Sequence, residues 1–276
     1  MTATAATRVD AIRLACSDPR ERGEPILFVH GFSHNRFVWD DVITQLPERW
    51  RPISVDLRGH GESDWSPAGE YGLTDYAADL SVFLDSIGVR EAHVVGHSLG
   101  GNVCTFFAAD YPRRVRSLTL VDTGPSLVVA ASAHIVGEIG EALRSYASVA
   151  EFRAQLSLIH PLADAAFLDR LAPTLLVQRI DGHFELSLDP GVLGVGTAPV
   201  DLNAVERDLW SALSSLVCPV LVVRGGLSSI LSEKVAEEMV FERLRFGRLE
   251  TLPGAGHAIM IDDAAGLRDY LTGFLD

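Results

Sequence analysis

Short apolar runs, each about the length of a β-strand, recur along the first half of the chain and again near its end. Residues 26–29 are apolar at every position, which is typical of a central strand in a parallel sheet that helices cover on both faces. Similar runs predict further strands at residues 51–56, 93–95, 115–121, 219–225 and 249–252, with residues 11–16 as a first edge strand.

Between these runs, apolar residues recur at the spacing of one helical face. The pattern predicts helices over residues 35–46, 73–87, 102–111, 232–244 and 264–275. Strands that alternate with helices form a doubly wound, mainly parallel sheet with right-handed crossovers. The fold class predicted for the chain is therefore α/β.

The alternation stops after residue 125 and resumes near residue 219. The intervening sequence is helical in pattern, with breaks near His160-Pro161 and Ala172-Pro173 and a turn-rich stretch at 189–199. We expect residues 1–125 and 210–276 to form the core domain and residues 126–209 to form a helical cap, or lid. The predicted cap is inserted after the sixth strand, residues 115–121.

One stretch combines a strand, a sharp turn and a helix around a serine. The strand at 93–95 runs into Gly96-His97-Ser98-Leu99-Gly100, a G-x-S-x-G pattern, and an apolar-rich helix follows. In this context the pattern predicts a nucleophile elbow, in which the flanking glycines leave room for a strained serine. The hydroxyl of Ser98 is then exposed above a helix N-terminus, where the backbone N–H of Leu99 can donate to an oxyanion.

A serine hydroxyl needs a neighbouring imidazole to become a nucleophile, and His257 is the candidate general base. It follows the last predicted strand in the loop Gly254-Ala255-Gly256-His257, and it comes after Ser98 in chain order. His30 and His97 lie too close to the predicted turns to serve equally well, and we expect them to pack and form hydrogen bonds there.

The composition restricts the partners. Hydrophobic residues make up 47% of the chain and charged residues 22%, which is typical of a globular protein rather than a disordered one. A formal charge of −14 argues against nucleic acid or an anionic membrane surface as a partner, because both require basic protein surface. A small neutral molecule is the expected substrate.

Neither a metal nor a cofactor is expected, because the histidines are scattered and the sequence has no phosphate-binding loop. The three cysteines are widely spaced, so we expect them to be reduced and buried rather than paired in disulfides. The N-terminal residues lack the apolar core of a secretory signal, and no apolar run is long enough to span a bilayer. A cytoplasmic protein is therefore expected.

Four motifs in order along the chain resemble those of the α/β-hydrolase superfamily, in the branch that carries a helical cap and includes esterases and lactonases. They are His30-Gly31, Arg58-Gly59-His60-Gly61-Glu62-Ser63, Gly96-His97-Ser98-Leu99-Gly100-Gly101 and Gly254-Ala255-Gly256-His257. The resemblance implies that the N–H of Phe32 pairs with that of Leu99 as an oxyanion hole, and that the Phe32 ring borders the acyl pocket. Ser98 stands where epoxide hydrolases and haloalkane dehalogenases have an aspartate, which disfavours those reactions.

The third member of the catalytic triad departs from the family pattern. Relatives usually carry an aspartate shortly after the seventh strand, and the matching position here is Ser229. Loss of this acid costs a serine protease about 10⁴ in rate. Asp122, at the end of the sixth strand, is the preferred replacement because some relatives supply the acid from that strand end, and Glu233 is a weaker candidate. The alternative is that Asp122 only caps the turn that follows it.

Two functions remain open on this sequence. The first is a serine hydrolase that cleaves an ester, lactone or related carbonyl bond of a small, largely apolar substrate through Ser98, His257 and an acid. The second is a non-hydrolytic member of the same fold, such as a lyase, cyclase, cofactor-free oxygenase or ligand-binding receptor, which the serine at position 229 keeps open. We expect the cap to shape the pocket, with Phe32, His183 and Trp210 as candidate pocket residues.

Overall fold

A computed structural model describes residues 12–126, 140, 144–193 and 201–276 of the chain. Seven strands form one sheet in the order β1-β3-β2-β4-β5-β8-β9, in which β1 is antiparallel to β3 and all the other neighbours are parallel. The sheet strands are β1 Cys16–Ser17, β2 Glu24–Val29, β3 Trp50–Val55, β4 Ala92–His97, β5 Val115–Val121, β8 Val220–Gly225 and β9 Gly247–Leu252. The α/β class with a mainly parallel sheet is confirmed.

Helices pack on both faces of the sheet and in the segment between β5 and β8. They are α1 Asp40–Ile43, α2 Leu73–Ser86, α3 Leu99–Asp110, α4 Val149–Ile159, α5 Ala165–Leu171, α6 Leu202–Ser215, α7 Glu233–Glu238, α8 Ile259–Asp262 and α9 Ala264–Leu275. The predicted helix at 264–275 matches α9 at both ends. The predicted helix at 232–244 divides into α7 and one π-helical segment, Met239–Arg243.

Neighbouring residues of a central strand point into two different hydrophobic clusters. Leu27 and Val94 belong to the cluster that α2 and α3 cover, whereas Phe28 and Val95 belong to the cluster that α1 and α9 cover. Because successive side chains of a strand alternate between faces, a sheet covered on both sides requires apolar residues at every position. This explains the continuous apolar run at 26–29.

Two predicted elements near the N-terminus are wrong in extent. The predicted edge strand at 11–16 is only the two-residue strand β1, with residue 11 outside the described part of the chain. The predicted helix at 35–46 is a 3₁₀ turn, Arg36–Trp39, followed by the single turn α1. Tertiary hydrogen bonds fix this turn, because the carboxylate of buried Asp56 accepts from the Arg36 backbone N–H at 2.7 Å.

The inserted segment is not helical throughout. Besides α4 and α5, it contains a short antiparallel hairpin of β6 Leu176–Gln178 and β7 Phe184–Leu186, which the sequence pattern did not predict. Strands of three residues are too short to show an alternating pattern. The strand before the insertion, β5, is the fifth strand of the described residues rather than the sixth, because only one described strand precedes β2.

The expected domain boundary between residues 209 and 210 lies inside α6. This helix packs against α3, and Leu213 shares a cluster with Val103 of the core. Residues 127–139, 141–143 and 194–200 of the expected cap lie outside the described residues. The division into core and cap at these positions stays a prediction.

The cysteines differ in exposure. Cys104 and Cys218 are buried and free, as expected, but Cys16 is exposed because it lies on the edge strand β1.

Within the described ranges, no helix is long and apolar enough to cross a membrane.

Candidate active site

Ser98 lies at a strained turn between β4 and α3. Its backbone has φ +51° and ψ −120°, a conformation that a residue with a side chain rarely adopts. The flanking glycines make this turn possible, because a Cβ on Gly96 would lie 2.5 Å from the Gly100 carbonyl oxygen and a Cβ on Gly100 would lie 2.3 Å from that of His30. The geometry is that of a nucleophile elbow.

Two backbone N–H groups lie beside this serine. Leu99 is the first residue of the twelve-residue helix α3, so its N–H has no acceptor within the helix. Gly31 contacts the elbow from the loop after β2, since a Cβ there would lie 3.1 Å from Ser98 Cβ. Phe32 follows Gly31 directly, and its half-buried ring meets His60 edge-on at 6.3 Å between ring centres. The structure therefore places Leu99 directly after Ser98 and Gly31, the neighbour of Phe32, against the elbow, and the oxyanion-hole role of the two N–H groups stays a prediction.

His30 holds the turn that carries Gly31 and Phe32. Its Nε2 accepts from the Leu57 N–H at 3.0 Å, which leaves Nδ1 to donate to the Gly31 carbonyl at 2.7 Å. Burial lowers the pKa of His30 to about 4, so the ring stays neutral and can keep one donor and one acceptor nitrogen. This agrees with the expectation that His30 forms hydrogen bonds around the turn.

The structure brings His257 and Asp122 together. His257 Nδ1 lies 2.7 Å from Asp122 Oδ2, where the side chain of Asp122 is fully buried and that of His257 is 13% exposed. Asp122 follows β5 with φ +45°, a region that aspartate tolerates better than most residues with a side chain. β5 pairs with β4, the strand that ends at the elbow, so the two strand ends are neighbours at one edge of the sheet.

Two further donors bind the Asp122 carboxylate. The Gly225 N–H donates to Oδ1 at 2.8 Å, and the Ser228 hydroxyl donates to Oδ2 at 2.5 Å. Both residues come from the end of β8 and the loop after it. Ser228 was not among the predicted site residues, although it directly precedes Ser229, the position where relatives carry the acid, which was a signal that this loop reaches the site.

Neither Ser229, at the position where relatives carry the acid, nor Glu233, the other candidate acid, binds His257. The side chain of Ser229 is exposed, and Glu233 is exposed in the first turn of α7. Among the predicted candidates, only Asp122 contacts His257.

His97 fixes the backbone of His257. Its Nε2 lies 3.0 Å from the His257 carbonyl oxygen, to which it can donate, and the two rings are 4.6 Å apart. Burial is the main reason that the pKa of His97 lies well below its usual value, with the nearby His257 and His34 as further causes. A neutral His97 ring therefore packs beneath the site, in agreement with the expected structural role.

A cavity of about 340 Å³ opens beside His257. Residues 159–162 at the end of α4 form one wall, and His34, Leu227, residues 256–258 and Asp262 form the rest. Burial and the neighbouring His160 keep the pKa of His34 well below its usual value, so this side chain is neutral. The described lining contains no lysine or arginine, and the undescribed stretches 127–139, 141–143 and 194–200 contain none in sequence.

The lining of this cavity does not include Phe32, and the two other predicted pocket residues lie further away. His183 precedes β7 in the hairpin turn, where its side chain is 53% exposed and lies 3.6 Å from the Asp181 carboxylate. Trp210 lies on α6, where its Nε1 donates to Ser126 Oγ at 3.2 Å and the Arg243 guanidinium stacks over its ring. Neither lines the described cavity beside His257, because α6 packs on the core and the hairpin turn extends into solvent.

Within the described part of the chain, no group of three or more histidine, cysteine or acidic side chains is arranged to hold a metal ion. Separately, the strand ends at this edge of the sheet carry Ser98, His257 and Asp122, the residue types that acyl transfer through a covalent intermediate uses.

Comparisons with known proteins identify the family of the fold. A family model described as alpha/beta hydrolase fold matches residues 24–264. The chain is 29% identical to 2-(acetamidomethylene)succinate hydrolase of Mesorhizobium japonicum, over 98% of this chain and 94% of that protein. It is 26% identical to a putative 2-succinyl-6-hydroxy-2,4-cyclohexadiene-1-carboxylate synthase of Bacillus subtilis, over 96% of each chain.

Solved structures show the same likeness. The crystal structure of E-2-(acetamidomethylene)succinate hydrolase superposes with a TM-score of 0.86 at 26% identity, covering 97% of this chain and 96% of that one. An esterase from Mycobacterium tuberculosis superposes with a TM-score of 0.77 at 27% identity, covering 98% and 89%. The family model spans most of the chain, and several relatives are named as hydrolases or esterases. This chain belongs to the α/β-hydrolase fold family.

Proposed function

We propose that this protein is a serine hydrolase that cleaves an ester, lactone or related carbonyl bond through Ser98, His257 and Asp122. The observation that carries the proposal is the 2.7 Å contact between His257 Nδ1 and the fully buried Asp122 Oδ2. This contact supplies the carboxylate that position 229 lacks. It also weakens the case for a non-hydrolytic reaction, which rested on the missing acid.

The proposed reaction begins when Ser98 Oγ attacks the carbonyl carbon of the substrate. Asp122 binds Nδ1, so Nε2 is the nitrogen left to take the serine proton, and Asp122 stabilises the imidazolium that forms. The N–H groups of Leu99 and Phe32 stabilise the oxyanion. His257 then gives the proton to the leaving group, and water, deprotonated by His257, hydrolyses the acyl-enzyme and regenerates Ser98.

The cavity beside His257 favours a neutral substrate. Its described lining combines apolar side chains such as Leu162 and Leu227 with the neutral His34, and it includes the carboxyl of Asp262 but no cation. A substrate carboxylate placed there would lose its hydration without gaining an ion pair. We therefore propose an uncharged acyl or alcohol group at this position, unlike the dicarboxylate that the name of the Mesorhizobium japonicum relative implies.

The first test is covalent labelling with a fluorophosphonate, which modifies an activated serine. The wild-type protein should be labelled at Ser98 alone, as mapped by mass spectrometry, and Ser98→Ala should not be labelled. A folded wild-type protein that stays unlabelled and hydrolyses no p-nitrophenyl ester would contradict the proposal.

The substrate class is tested with two esters of similar size. The neutral p-nitrophenyl butyrate should have a kcat/KM at least about tenfold above that of p-nitrophenyl hemisuccinate, because the latter adds one unpaired carboxylate, which costs roughly 1–3 kcal/mol. Equal or reversed values would overturn the proposed substrate class without affecting the triad.

A further inference from the structure

The loop after β8 presents a hydroxyl to Asp122, the carboxylate that contacts His257. Ser228 lies three residues beyond Gly225, the last residue of β8, and its Oγ lies 2.5 Å from Asp122 Oδ2. The same Oγ lies 3.0 Å from the Ile230 backbone nitrogen. An amide N–H can only donate, so the serine oxygen accepts from Ile230 and its own proton points to Asp122.

This arrangement places two donors on one carboxylate oxygen. Asp122 Oδ2 accepts from Ser228 and from His257 Nδ1 at 2.7 Å, while Oδ1 accepts from the Gly225 N–H at 2.8 Å. The three donors fix the orientation of the carboxylate, which supports the orientation of the imidazole in turn. A donor to Oδ2 also withdraws charge from the oxygen that stabilises the protonated imidazole, so the Ser228 hydroxyl competes with His257.

We propose that Ser228 is a positioning residue that acts through Asp122: it holds the carboxylate in place and limits how strongly that carboxylate stabilises protonated His257. The effect of Ser228 on catalysis rests on the proposed hydrolase function. Its structural part, the competition at Oδ2, does not depend on which reaction the protein performs.

Other groups face His257 and remain in place when Ser228 is changed. Asp262 of α8 accepts from the Gly256 N–H at 2.8 Å, and burial raises the pKa of its carboxyl. His97 packs against the His257 ring from the end of β4, and His160 and the neutral His34 line the cavity on the other side. Because Ser228 binds Asp122 and Asp122 binds His257, a change in pH dependence caused by Ser228 has to act through Asp122.

The kinetic test compares Ser228→Ala with Ser229→Ala, which removes an exposed hydroxyl one residue further along the same loop. Ser228→Ala should lower the plateau kcat by between about threefold and thirtyfold, because a charge-assisted hydrogen bond that orients the carboxylate is lost. The acid limb of its kcat/KM profile should move to higher pH by roughly half a unit, because protonated His257 is then better stabilised. Ser229→Ala should match the wild type, and Ser228→Thr, which keeps the hydroxyl, should restore the wild-type acid limb.

A second readout uses no substrate. The titration of the His257 ring, followed by NMR of protein with ¹⁵N-labelled histidine, should move upward by roughly half a pH unit in Ser228→Ala and stay unchanged in Ser229→Ala. An unchanged titration and acid limb in Ser228→Ala would overturn the inference, even if kcat falls, because the serine would then be only structural. Failure of fluorophosphonate labelling, by contrast, would remove the hydrolase proposal while the NMR titration still decides whether Ser228 competes at Asp122.

Discussion

The loops after β5 and β8 lie side by side at the carboxyl edge of the sheet. The first supplies a buried charge and the second supplies uncharged hydrogen-bond donors. The β5 loop carries Asp122, which is fully buried and adopts a positive φ. The β8 loop carries the half-buried Ser228 and the exposed Ser229, and this loop and the end of β8 bind Asp122 with uncharged groups, the Ser228 hydroxyl and the Gly225 N–H. A buried carboxylate needs several fixed donors, and the neighbouring loop provides them.

In the proposed triad, the acid is the carboxylate that is buried and bound by several donors, rather than a residue at the position where relatives usually carry it. β5 lies between β4 and β8, so its end is flanked by the elbow on one side and by the donor loop on the other. Three predictions test how different the two loops are, and another concerns a buried histidine at the same edge of the sheet.

The largest effect is expected for Asp122→Asn. This change removes the charge but keeps the size of the side chain, and it should lower kcat by about three to four orders of magnitude. Steady-state hydrolysis of a p-nitrophenyl ester measures it, with circular dichroism as a control for folding. A loss below tenfold would mean that the buried carboxylate only supports the turn.

The second prediction moves the acid from one loop to the other. The double variant Asp122→Asn/Ser228→Asp places a carboxylate at position 228. In the wild type, the side chain at this position contacts Asp122 Oδ2. We expect kcat to recover by about 10- to 100-fold over Asp122→Asn alone, because charge returns near His257 with imperfect geometry. The double variant Asp122→Asn/Ser229→Asp is the matched control, and equal recovery in both would show that the loops are less distinct than described.

The third prediction concerns stability at the same edge of the sheet, where neutral histidines are buried. Burial lowers the pKa of His60 to about 3, so below pH 6.5 the unfolded chain binds a proton that the folded protein excludes. Stability should therefore fall as the pH drops from 7 to 5, and this one residue should contribute about 2 kcal/mol of that fall.

The matching measurement is urea unfolding of the wild type and of His60→Asn at both pH values. The loss of unfolding free energy between pH 7 and pH 5 should be smaller in the variant by about 2 kcal/mol, whatever its absolute stability. The same loss in both proteins would show that His60 is not held neutral in the folded state.

The smallest effect is expected for Ser229→Asp in the otherwise wild-type protein. Its side chain is exposed and Asp122 already binds His257, so kcat/KM should stay within about twofold of the wild type. A large gain would indicate that position 229 can still reach the histidine, and the contrast between the two loops would then fail.

The sequence predicted most of the fold because local patterns and long-range packing agree there. Continuous apolar runs gave the central strands, and the period of helical faces gave α2, α3 and α9 nearly to their ends. The predictions were wrong where tertiary contacts override local pattern, as at the turn that Asp56 fixes and in the β6–β7 hairpin.

At the site, the sequence by itself determined Ser98 and His257 as candidates, because a strained turn requires glycines at fixed spacings and these form a motif that is recognisable in the sequence. With a serine at position 229, it preferred Asp122 over Glu233 as the acid but left open that Asp122 only caps a turn. Its candidate pocket residues Phe32, His183 and Trp210 do not line the described cavity. Only the tertiary structure placed Asp122 against His257 and added Ser228, because these contacts join residues more than 100 positions apart. Such contacts arise from the order of strands in the sheet, which brings separate strand ends to one edge and leaves no local trace in the sequence.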